Sequence, residues 1–436
     1  MTGSTGQALG IGLDLGTSGC RAVAIDPDAQ PIASASAGLP DPVRGTGGAV
    51  EQDPMLWWDA VVTVLRRIGR ALAQHPAPEG GAALCVDGTS ATLLLCCADG
   101  SPTGAALMYN DTRAGDEAAA IAGHVPEGSP ARGPGSSLAK LLYLWRRQAS
   151  ARPLLALHQA DWVIGRLRDQ LGDSDWNNGL KLGFDPIGER WPDWLAALVP
   201  ESVKLPRVHP PGARLGPIAP DVAALTGLPT DVAICAGTTD STAAVIATGA
   251  SRIGDAVTSL GSTLVLKLVA PAPVSATRFG VYSHRLGSRW LIGGASNTGG
   301  SVLRRFFDDE RLTELSQRID PESDAGLDYY PLLAPGERFP VADPAKQPRL
   351  APRPPSDALF LQGLLEGIAR IERDGYRRLI ELGAPPPRRV LSTGGGARNP
   401  AWTAIRRRML GVPVTAARHQ DAAYGAALLA LRGPTG

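Results

Sequence analysis

Alternation of apolar and small residues opens the chain and predicts two short β-strands joined by a tight turn. Ile11, Leu13 and Leu15 alternate with small residues and with one carboxylate, Asp14. The turn Gly-Thr-Ser-Gly follows, and a second apolar run covers residues 22–25. Strand patterning around glycine, serine and threonine is typical of a β-hairpin.

Asp14 is the unusual residue of this hairpin. A carboxylate inside an apolar strand is costly to bury unless it is paired or binds a metal. The adjacent turn offers backbone N–H groups and the hydroxyls of Thr17 and Ser18, which suit phosphate oxygens. The hairpin is therefore compatible with a corner for Mg²⁺ and nucleotide phosphate, and equally with an ordinary turn at a sheet edge.

Helical spacing of apolar residues alternates with predicted strands further along the chain, which favours an α/β fold. After residue 53 the pattern predicts a helix that is capped by Asp53 and has Pro54 in its first turn. The same spacing predicts helices over residues 138–147, 161–171 and 357–382.

Small polar loops end two successive predicted strands. Residues 82–86 form a buried strand that runs into Asp87-Gly88-Thr89-Ser90, and the next such loop is Tyr109-Asn110-Asp111-Thr112-Arg113. Ligands of α/β sheets bind outside strand ends, but these residue types also favour ordinary turns. Arg113 either pairs with Asp111 or faces a ligand.

Three other segments leave alternatives open. Residues 174–178 are polar and aromatic, and a role in capping the next helix is slightly favoured over ligand contact. Gly299-Gly300 either let a ligand approach the backbone or pack a helix tightly. Residues 313–336 are expected to form a polar, loop-rich region.

The second half of the chain repeats the opening pattern. Residues 255–269 form a strand, the turn Leu260-Gly261-Ser262-Thr263 and another strand, which resembles the hairpin around residues 15–18. A repeated phosphate-type turn indicates a duplicated domain and strengthens the phosphate interpretation. The second copy has no carboxylate, so any metal is expected at Asp14.

Two further turns lead from a predicted strand into a helix. Residues 231–236 are a strand, and the Gly-Thr-Thr turn after it places Asp240 near a helix N-terminus. The macrodipole favours a negative charge there, and Asp240 either serves a ligand or only caps the helix. Gly394-Gly395-Gly396 follow a later strand and let the backbone press against a flat or anionic ligand. Asn399 and Trp402 could then hold a purine and its ribose, although Trp402 also suits an ordinary amphipathic helix.

Composition narrows the possible functions. The chain has 436 residues, enough for two or three domains, and a net charge of +1, which argues against a nucleic-acid surface. No apolar run approaches a membrane span, and the first residues lack a signal-peptide pattern. The five cysteines include no CxxC pair, so neither a disulfide framework nor a zinc site is indicated. These features predict a soluble cytoplasmic protein, and P-loop, dinucleotide and protein-kinase motifs are absent.

Several segments, taken in order, resemble the FGGY family of carbohydrate kinases. They are DLGTSGCRAVAID, EQDPMLWW, GTTDSTAA, SLGSTLVLK, GGGARNPAW and DAAYGAALLA. The resemblance implies two ribonuclease-H-like domains of the actin, Hsp70 and sugar kinase superfamily, with an ATP and sugar cleft between them. The expected domains are 1–247 and 248–420, with a C-terminal helix, 421–436, that packs back on the first.

Residue roles follow from the same resemblance. Asp240 matches the catalytic base, and Asp14 matches the carboxylate near Mg²⁺ and the substrate hydroxyls. Ser90 lies in the loop where relatives contact the sugar. The residues that match the ATP-binding motifs are Thr17, Gly261, Ser262, Thr263, Gly395, Gly396, Asn399 and Trp402.

The expected activity is transfer of the γ-phosphate of ATP to a small ketose. The protein is expected to be a monomer or homodimer without nucleic-acid or membrane partners. VDGTSATLLL, MYNDTRA and SDWNNGLKLGFDP resemble a short xylulose-kinase-like branch of cyanobacteria and plastids that is associated with D-ribulose. Many xylulose kinases have a Met-His pair where this chain has Thr89-Ser90-Ala91, and glycerol kinases have an Arg-Glu pair there. These differences disfavour D-xylulose and glycerol as the substrate. D-Xylulose, another pentulose or a polyol is the alternative, and a non-catalytic ATP- or sugar-binding switch is the rival from another class.

Overall fold

The computed structural model describes residues 8–75, 80–148 and 152–434. Its described residues divide into two compact units. The first contains the chain up to Ala247, the short loop Arg285–Ser288 and the C-terminal segment from Asp421. The second contains Thr248–His284 and Arg289–Gln420.

Strands and helices alternate along most of the chain. The strands are β1 (Leu9–Leu15), β2 (Gly19–Ile25), β3 (Pro31–Gly38), β4 (Val43–Arg44), β5 (Val50–Gln52), β6 (Ala82–Gly88), β7 (Leu93–Cys96), β8 (Ala106–Leu107), β9 (Leu154–His158), β10 (Asp173–Asp175), β11 (Val203–Lys204), β12 (Arg207–His209), β13 (Arg214–Pro217), β14 (Ala233–Cys235), β15 (Thr238–Thr239), β16 (Asp255–Leu260), β17 (Leu264–Ala270), β18 (Tyr282–Leu286), β19 (Arg289–Ser296), β20 (Arg389–Thr393) and β21 (Val414–Ala416). The α-helices are α1 (Pro54–Leu72), α2 (Gly115–Ile121), α3 (Ser137–Arg146), α4 (Gln159–Arg168), α5 (Trp176–Gly179), α6 (Asp193–Ala196), α7 (Pro220–Thr226), α8 (Asp240–Ala247), α9 (Gly300–Arg304), α10 (Asp309–Ser316), α11 (Asp357–Glu381), α12 (Pro400–Leu410) and α13 (Ala422–Arg432).

The main sheets of the two units share one topology. In the first unit β1, β2 and β3 are antiparallel neighbours, and β6 and then β14 continue the sheet parallel to β1. In the second unit β16, β17 and β19 are the antiparallel set, and β20 and then β21 run parallel to β16. The repeated hairpin of the sequence therefore corresponds to a repeated five-strand pattern.

Local signals place several elements correctly. The opening hairpin is β1 and β2, as predicted. The side chain of Asp53 accepts a hydrogen bond from the backbone N–H of Met55, so the predicted cap of α1 is confirmed. Helix α8 begins at Asp240, and α11 matches the predicted helix 357–382 to within one residue.

The cores follow the hydrophobic pattern. In the first unit Trp57 and Trp162 are fully buried and meet edge to face in the core between α1, α4 and the main sheet. Helix α13 packs closely on β1 and α8 of this unit. In the second unit α11 supplies a row of buried leucines and isoleucines. Within the described ranges, no helix is both long and apolar enough to span a membrane.

Candidate active site

Strand register gathers three carboxyl-bearing or hydroxyl-bearing side chains on the main sheet of the first unit. Asp14 on β1 lies opposite Asp87 on β6, and Asp87 lies opposite Thr238 on β15. Directly paired residues of neighbouring strands project to the same face of a sheet. Asp240 follows Thr238 by two residues and opens α8. The fold thus brings the predicted pair Asp14 and Asp240 into one neighbourhood.

Asp14 is a buried carboxyl group with little cationic support. Burial raises its pKa to about 6; the charges of Asp240 and Asp421 act in the same direction, and the interaction with the neighbouring Asp87 carboxyl opposes the rise. Arg21 is 3.9 Å away through Nη1, and its side chain is 63% exposed, so this pair adds little. A cluster of this kind favours a shared proton or a bound cation.

Asp87 is a site residue that the sequence placed in a polar loop at a strand end, without assigning it an individual role. It is fully buried, and neither carboxylate oxygen receives a hydrogen bond from a donor in the described part of the chain. Its pKa is raised well above the usual value, first by burial and then by the charge of Asp14, with which it can share a proton. Its sequence signal was similar to that of Asp14, a carboxylate near the end of an apolar strand.

The carboxyl cluster fits a hard divalent cation in chemistry, because its donors are oxygens and Asp87 is unsatisfied. The described residues offer no set of three or more acidic, histidine or cysteine ligands around one point. A Mg²⁺ ion at Asp14 would therefore keep water or phosphate oxygens as most of its ligands, which is how this ion usually binds.

Asp240 has the geometry of a helix N-terminal carboxylate. Its Oδ1 accepts a hydrogen bond of 2.6 Å from the backbone N–H of Ser241, and the residue is partly exposed. The macrodipole of α8 favours the ionised form at this position. Asp240 is therefore suited to accept a proton from a bound hydroxyl.

Ser90 is presented by a tightly fastened loop after β6. The Oε1 atom of Gln159 accepts hydrogen bonds from the backbone N–H and the hydroxyl of Thr89, at 3.0 and 2.9 Å. The Thr89 and Thr92 hydroxyls are also hydrogen bonded. Ser90 itself is partly exposed, so its hydroxyl is the polar group that this loop offers to a ligand.

The structure also resolves two alternatives from the sequence. Arg113 pairs with Asp111 at 2.7 Å and with Glu51 at 2.8 Å, so its guanidinium is held by carboxylates. Segment 174–178 does cap a helix, through Asp175, which accepts from the first backbone N–H groups of α5. Asn177 instead hydrogen bonds to the Thr238 hydroxyl next to the carboxyl cluster.

The second unit contains a separate pocket around the repeated turn and the glycine turn. Its volume is about 710 Å³, within the usual range for small-molecule sites. The candidate residues that line it are Gly261, Ser262, Gly395, Gly396, Asn399 and Trp402. Thr263 follows in the same turn but is not part of the lining. Thr17 lies in the first unit, on the partly exposed turn after Asp14.

Asn399 and Trp402 shape this pocket. The Oδ1 of Asn399 caps α12 by accepting from the backbone N–H of Trp402, and its Nδ2 donates to the Ser316 hydroxyl at 2.8 Å. Trp402 is only 2% exposed and packs against Gly396 and the core. Both residues therefore hold the pocket wall, with the indole underneath the glycine turn.

Gly299 and Gly300 brace the repeated turn. The backbone N–H of Gly300 donates to the Gly261 carbonyl, and a Cβ at Gly299 would lie 2.6 Å from the Ser262 carbonyl oxygen. The φ angle of Gly299 is +147°, a conformation that L side chains rarely adopt. Tight packing thus explains Gly299, and Gly300 also lines the pocket.

Helix α10 forms another wall of the pocket. The polar loop predicted for residues 313–336 was wrong at its start, because residues 313–316 belong to this helix. Asp308 caps the helix, and Thr313, Ser316 and Gln317 at its C-terminal end line the pocket. The helix is short and half of its residues are charged, so its few apolar residues left no clear helical pattern.

Each of the two duplicated α/β units has a phosphate-type turn, and one unit has the carboxyl cluster while the other has a nucleotide-sized pocket. These features define the actin, Hsp70 and sugar kinase class of fold. Residues 9–247 match the N-terminal domain of the FGGY family of carbohydrate kinases, and residues 256–433 match its C-terminal domain. The chain belongs to the FGGY family.

Relatives across the family are similar over most of their length. The xylulose kinase of Escherichia coli K12 is 26% identical over 415 residues, which cover 90% of this chain and 83% of that protein. The gluconokinase of Bacillus subtilis 168 is 23% identical over 432 residues, covering 90% and 81%. The solved xylulose kinase from Rhodospirillum rubrum has a TM-score of 0.84 at 25% identity and covers 98% of this chain and 90% of that one.

Membership of this family identifies the chain as a carbohydrate kinase, a phosphotransferase that acts on an alcohol group. ATP is the co-substrate of FGGY kinases, and the acceptor of this family is a carbohydrate-type small molecule.

Proposed function

We propose that this kinase phosphorylates a small ketose, with D-ribulose as the first candidate, and that Asp240 is the general base. The observation that carries the proposal is the register that places Asp14 near Asp240 at the first turn of α8. Phosphoryl transfer depends mainly on positioning and charge stabilisation, and a carboxylate that accepts the proton of the substrate hydroxyl is a recurring part of such sites.

The remaining residues fall into two groups by their chemistry. Ser90 and Asp14 would bind sugar hydroxyls in the first unit. Thr17 on one turn and Gly261, Ser262 and Thr263 on the other would bind phosphate oxygens through N–H and hydroxyl donors. The adenosine would occupy the pocket of the second unit, with Gly395 and Gly396 against it and Asn399 and Trp402 holding its wall.

Mg²⁺ is the expected metal, with Asp14 as its protein ligand. When bound, the ion would neutralise charge on the phosphates of ATP. The unsatisfied Asp87 carboxyl and the near-neutral pKa of Asp14 both support a cation at this point, because it would compensate the clustered negative charge.

The choice of sugar rests on the loop that presents Ser90. Its residues Thr89-Ser90-Ala91 stand where many xylulose kinases have a Met-His pair, which disfavours D-xylulose. The resemblance of VDGTSATLLL, which contains this loop, to the branch associated with D-ribulose favours D-ribulose. D-Xylulose is the second candidate, because xylulose kinases are prominent among the relatives. A coupled ADP-release assay across D-ribulose, D-xylulose, gluconate and glycerol compares these acceptors directly.

Asp240→Asn tests the general base. We expect a loss of about 10²–10⁴-fold in kcat, because the hydroxyl loses its proton acceptor, with ATP affinity unchanged in equilibrium binding. Asp221→Asn is the matched control, since Asp221 is also an acidic residue in the first turn of a helix but is exposed. Near-normal turnover by Asp240→Asn would rule out this role, and ADP release that no sugar stimulates would contradict the sugar-kinase proposal itself.

A further inference from the structure

A buried lysine joins two loops of the first unit. Lys140 lies on α3, and its side chain is inaccessible to solvent. Its ammonium donates hydrogen bonds to three backbone carbonyls, those of Ala91 at 2.8 Å, Met108 at 2.7 Å and Tyr109 at 3.3 Å. The three donors of the group are thus matched by three acceptors.

One of these carbonyls belongs to the loop that presents Ser90. Ala91 follows Ser90 directly and has a φ of +70°, a left-handed conformation that is uncommon for a residue with a Cβ. Such a conformation persists only when the surroundings enforce it. Gln159 fastens the loop at Thr89, and Lys140 fastens it at Ala91, so the Ser90 hydroxyl is held from both sides.

The other two carbonyls follow β8 and precede Asp111. The Asp111 carboxylate, which is close enough to influence the charge of Lys140, already accepts from Arg113 and from the backbone N–H of Val50. Among the residues that the structure describes, Lys140 is therefore bound to carbonyl dipoles and forms no ion pair. Lys181 is the other charged group that acts on it, and burial lowers the pKa of Lys140 to about 7.

Burying an ammonium group among carbonyl dipoles carries a large desolvation free energy. An apolar side chain of similar size would fill the same space without the cost of desolvating a charge. What an apolar side chain cannot do is hold three carbonyl oxygens, from two separate loops, around one point.

We infer that Lys140 is a positioning residue for the sugar, because its ammonium fixes the Ser90 loop and the segment after β8 in the orientation that the substrate requires. The inference rests on the proposed function, in which Ser90 contacts the sugar. Lys140 does not touch the substrate itself; it acts through the loops.

The test compares Lys140→Met with Leu141→Ala. Leu141 is the next residue of α3 and is fully buried in a hydrophobic cluster, so its truncation destabilises the same helix without touching the loops. In ADP-release assays well below both melting temperatures, we expect Lys140→Met to raise the KM for the sugar at least tenfold and to leave the KM for ATP within twofold. Leu141→Ala should change neither.

Lys140→Gln provides a graded second variant, because its amide keeps two donors, and its sugar KM should fall between those of the wild type and Lys140→Met. Hydrogen-exchange mass spectrometry adds a readout that needs no sugar. Peptides covering residues 88–92 and 106–110 should exchange faster in Lys140→Met than in Leu141→Ala.

Two results would overturn the inference while the proposed function stood. One is an equal rise of the sugar KM in Lys140→Met and Leu141→Ala, and the other is unchanged exchange in both loop peptides. A wild-type enzyme whose ADP release responds to no sugar in the panel would instead overturn the proposed function, and the inference with it.

Discussion

The pocket of the second unit depends on a buried ion pair, which offers the sharpest test of the fold. Arg406 on α12 donates to both carboxylate oxygens of Glu372 on α11, at 2.6 and 2.7 Å, and both side chains are fully buried. A third donor of Arg406 reaches the Ser392 hydroxyl on β20 at 2.7 Å. This network holds α12, which carries Trp402, against α11 and the sheet.

Arg406→Met removes one partner and leaves the other charge behind. Within the described ranges, Glu372 would then keep a single hydrogen bond for its buried negative charge, the one from the Thr258 hydroxyl at 2.6 Å. Breaking a buried pair in this way costs about 3–5 kcal/mol. For a domain of roughly 150–250 residues each kcal/mol corresponds to about 2–4 °C, so the melting temperature should fall by roughly 10 °C.

Scanning calorimetry and urea unfolding measure this loss, with Arg407→Met as the control, because Arg407 is the exposed neighbour on the same helix. The double variant with Glu372→Met and Arg406→Met removes both charges. It should recover at least half of the lost stability, because no buried charge remains unpaired. The reasoning fails if Arg406→Met costs less than about 1 kcal/mol beyond the control, or if the double variant is no more stable than Arg406→Met.

Two further predictions concern packing and pH. Gly12→Ala should lower the free energy of unfolding by at least about 2 kcal/mol, because a Cβ would overlap the backbone of α13, 2.9 Å from the Ala426 carbonyl carbon. The control Gly38→Ala should cause no such loss, because its Cβ would meet no atom within 4 Å. Equal melting temperatures of the two variants would contradict this reasoning. Burial alone would raise the pKa of Asp255, but hydrogen bonds from Arg389 and backbone N–H groups lower it to about 2, so its stabilising effect is present above pH 4 and lost as the pH falls toward 2. Asp255→Asn should therefore lower the free energy of unfolding by about 1–2 kcal/mol at pH 7, a range that allows for the partly exposed Arg389. The difference in urea midpoint between the variant and the wild type should become smaller as the pH falls from 5 to 3. A difference that stays constant would refute the assignment.

Local chemistry made part of the molecule predictable from sequence. The opening hairpin, the cap of α1 at Asp53 and the helix start at Asp240 each depend on a few neighbouring residues. The glycine turn before Asn399 belongs to the same group, since an asparagine followed by proline is a local signal for a helix start. Such signals survive without knowledge of the tertiary fold.

Residues that act through distant partners were not predictable in the same way. The interaction between Asp87 and Asp14 depends on the pairing of β1 with β6, which are separated by about 70 residues. Lys140 is one polar residue in an apolar helical pattern, and its three acceptors come from loops 30 to 50 residues away. Only the folded chain shows that these groups lie together.

The buried charged groups of the two units differ in whether hydrogen bonds satisfy them, and this difference distinguishes a structural ion pair from a candidate functional site. Glu372 and Arg406 satisfy each other through two hydrogen bonds, so their burial is explained by the fold. Asp87 is equally buried, yet no donor of the described residues reaches it, and the charge that most affects it is that of another carboxyl group, Asp14. Folding alone gives no reason to keep an unsatisfied carboxyl beside Asp14, because it raises the cost of burying both. A bound cation would remove that cost. We therefore propose that the carboxyl cluster, more than the pocket volume, marks the site of chemistry.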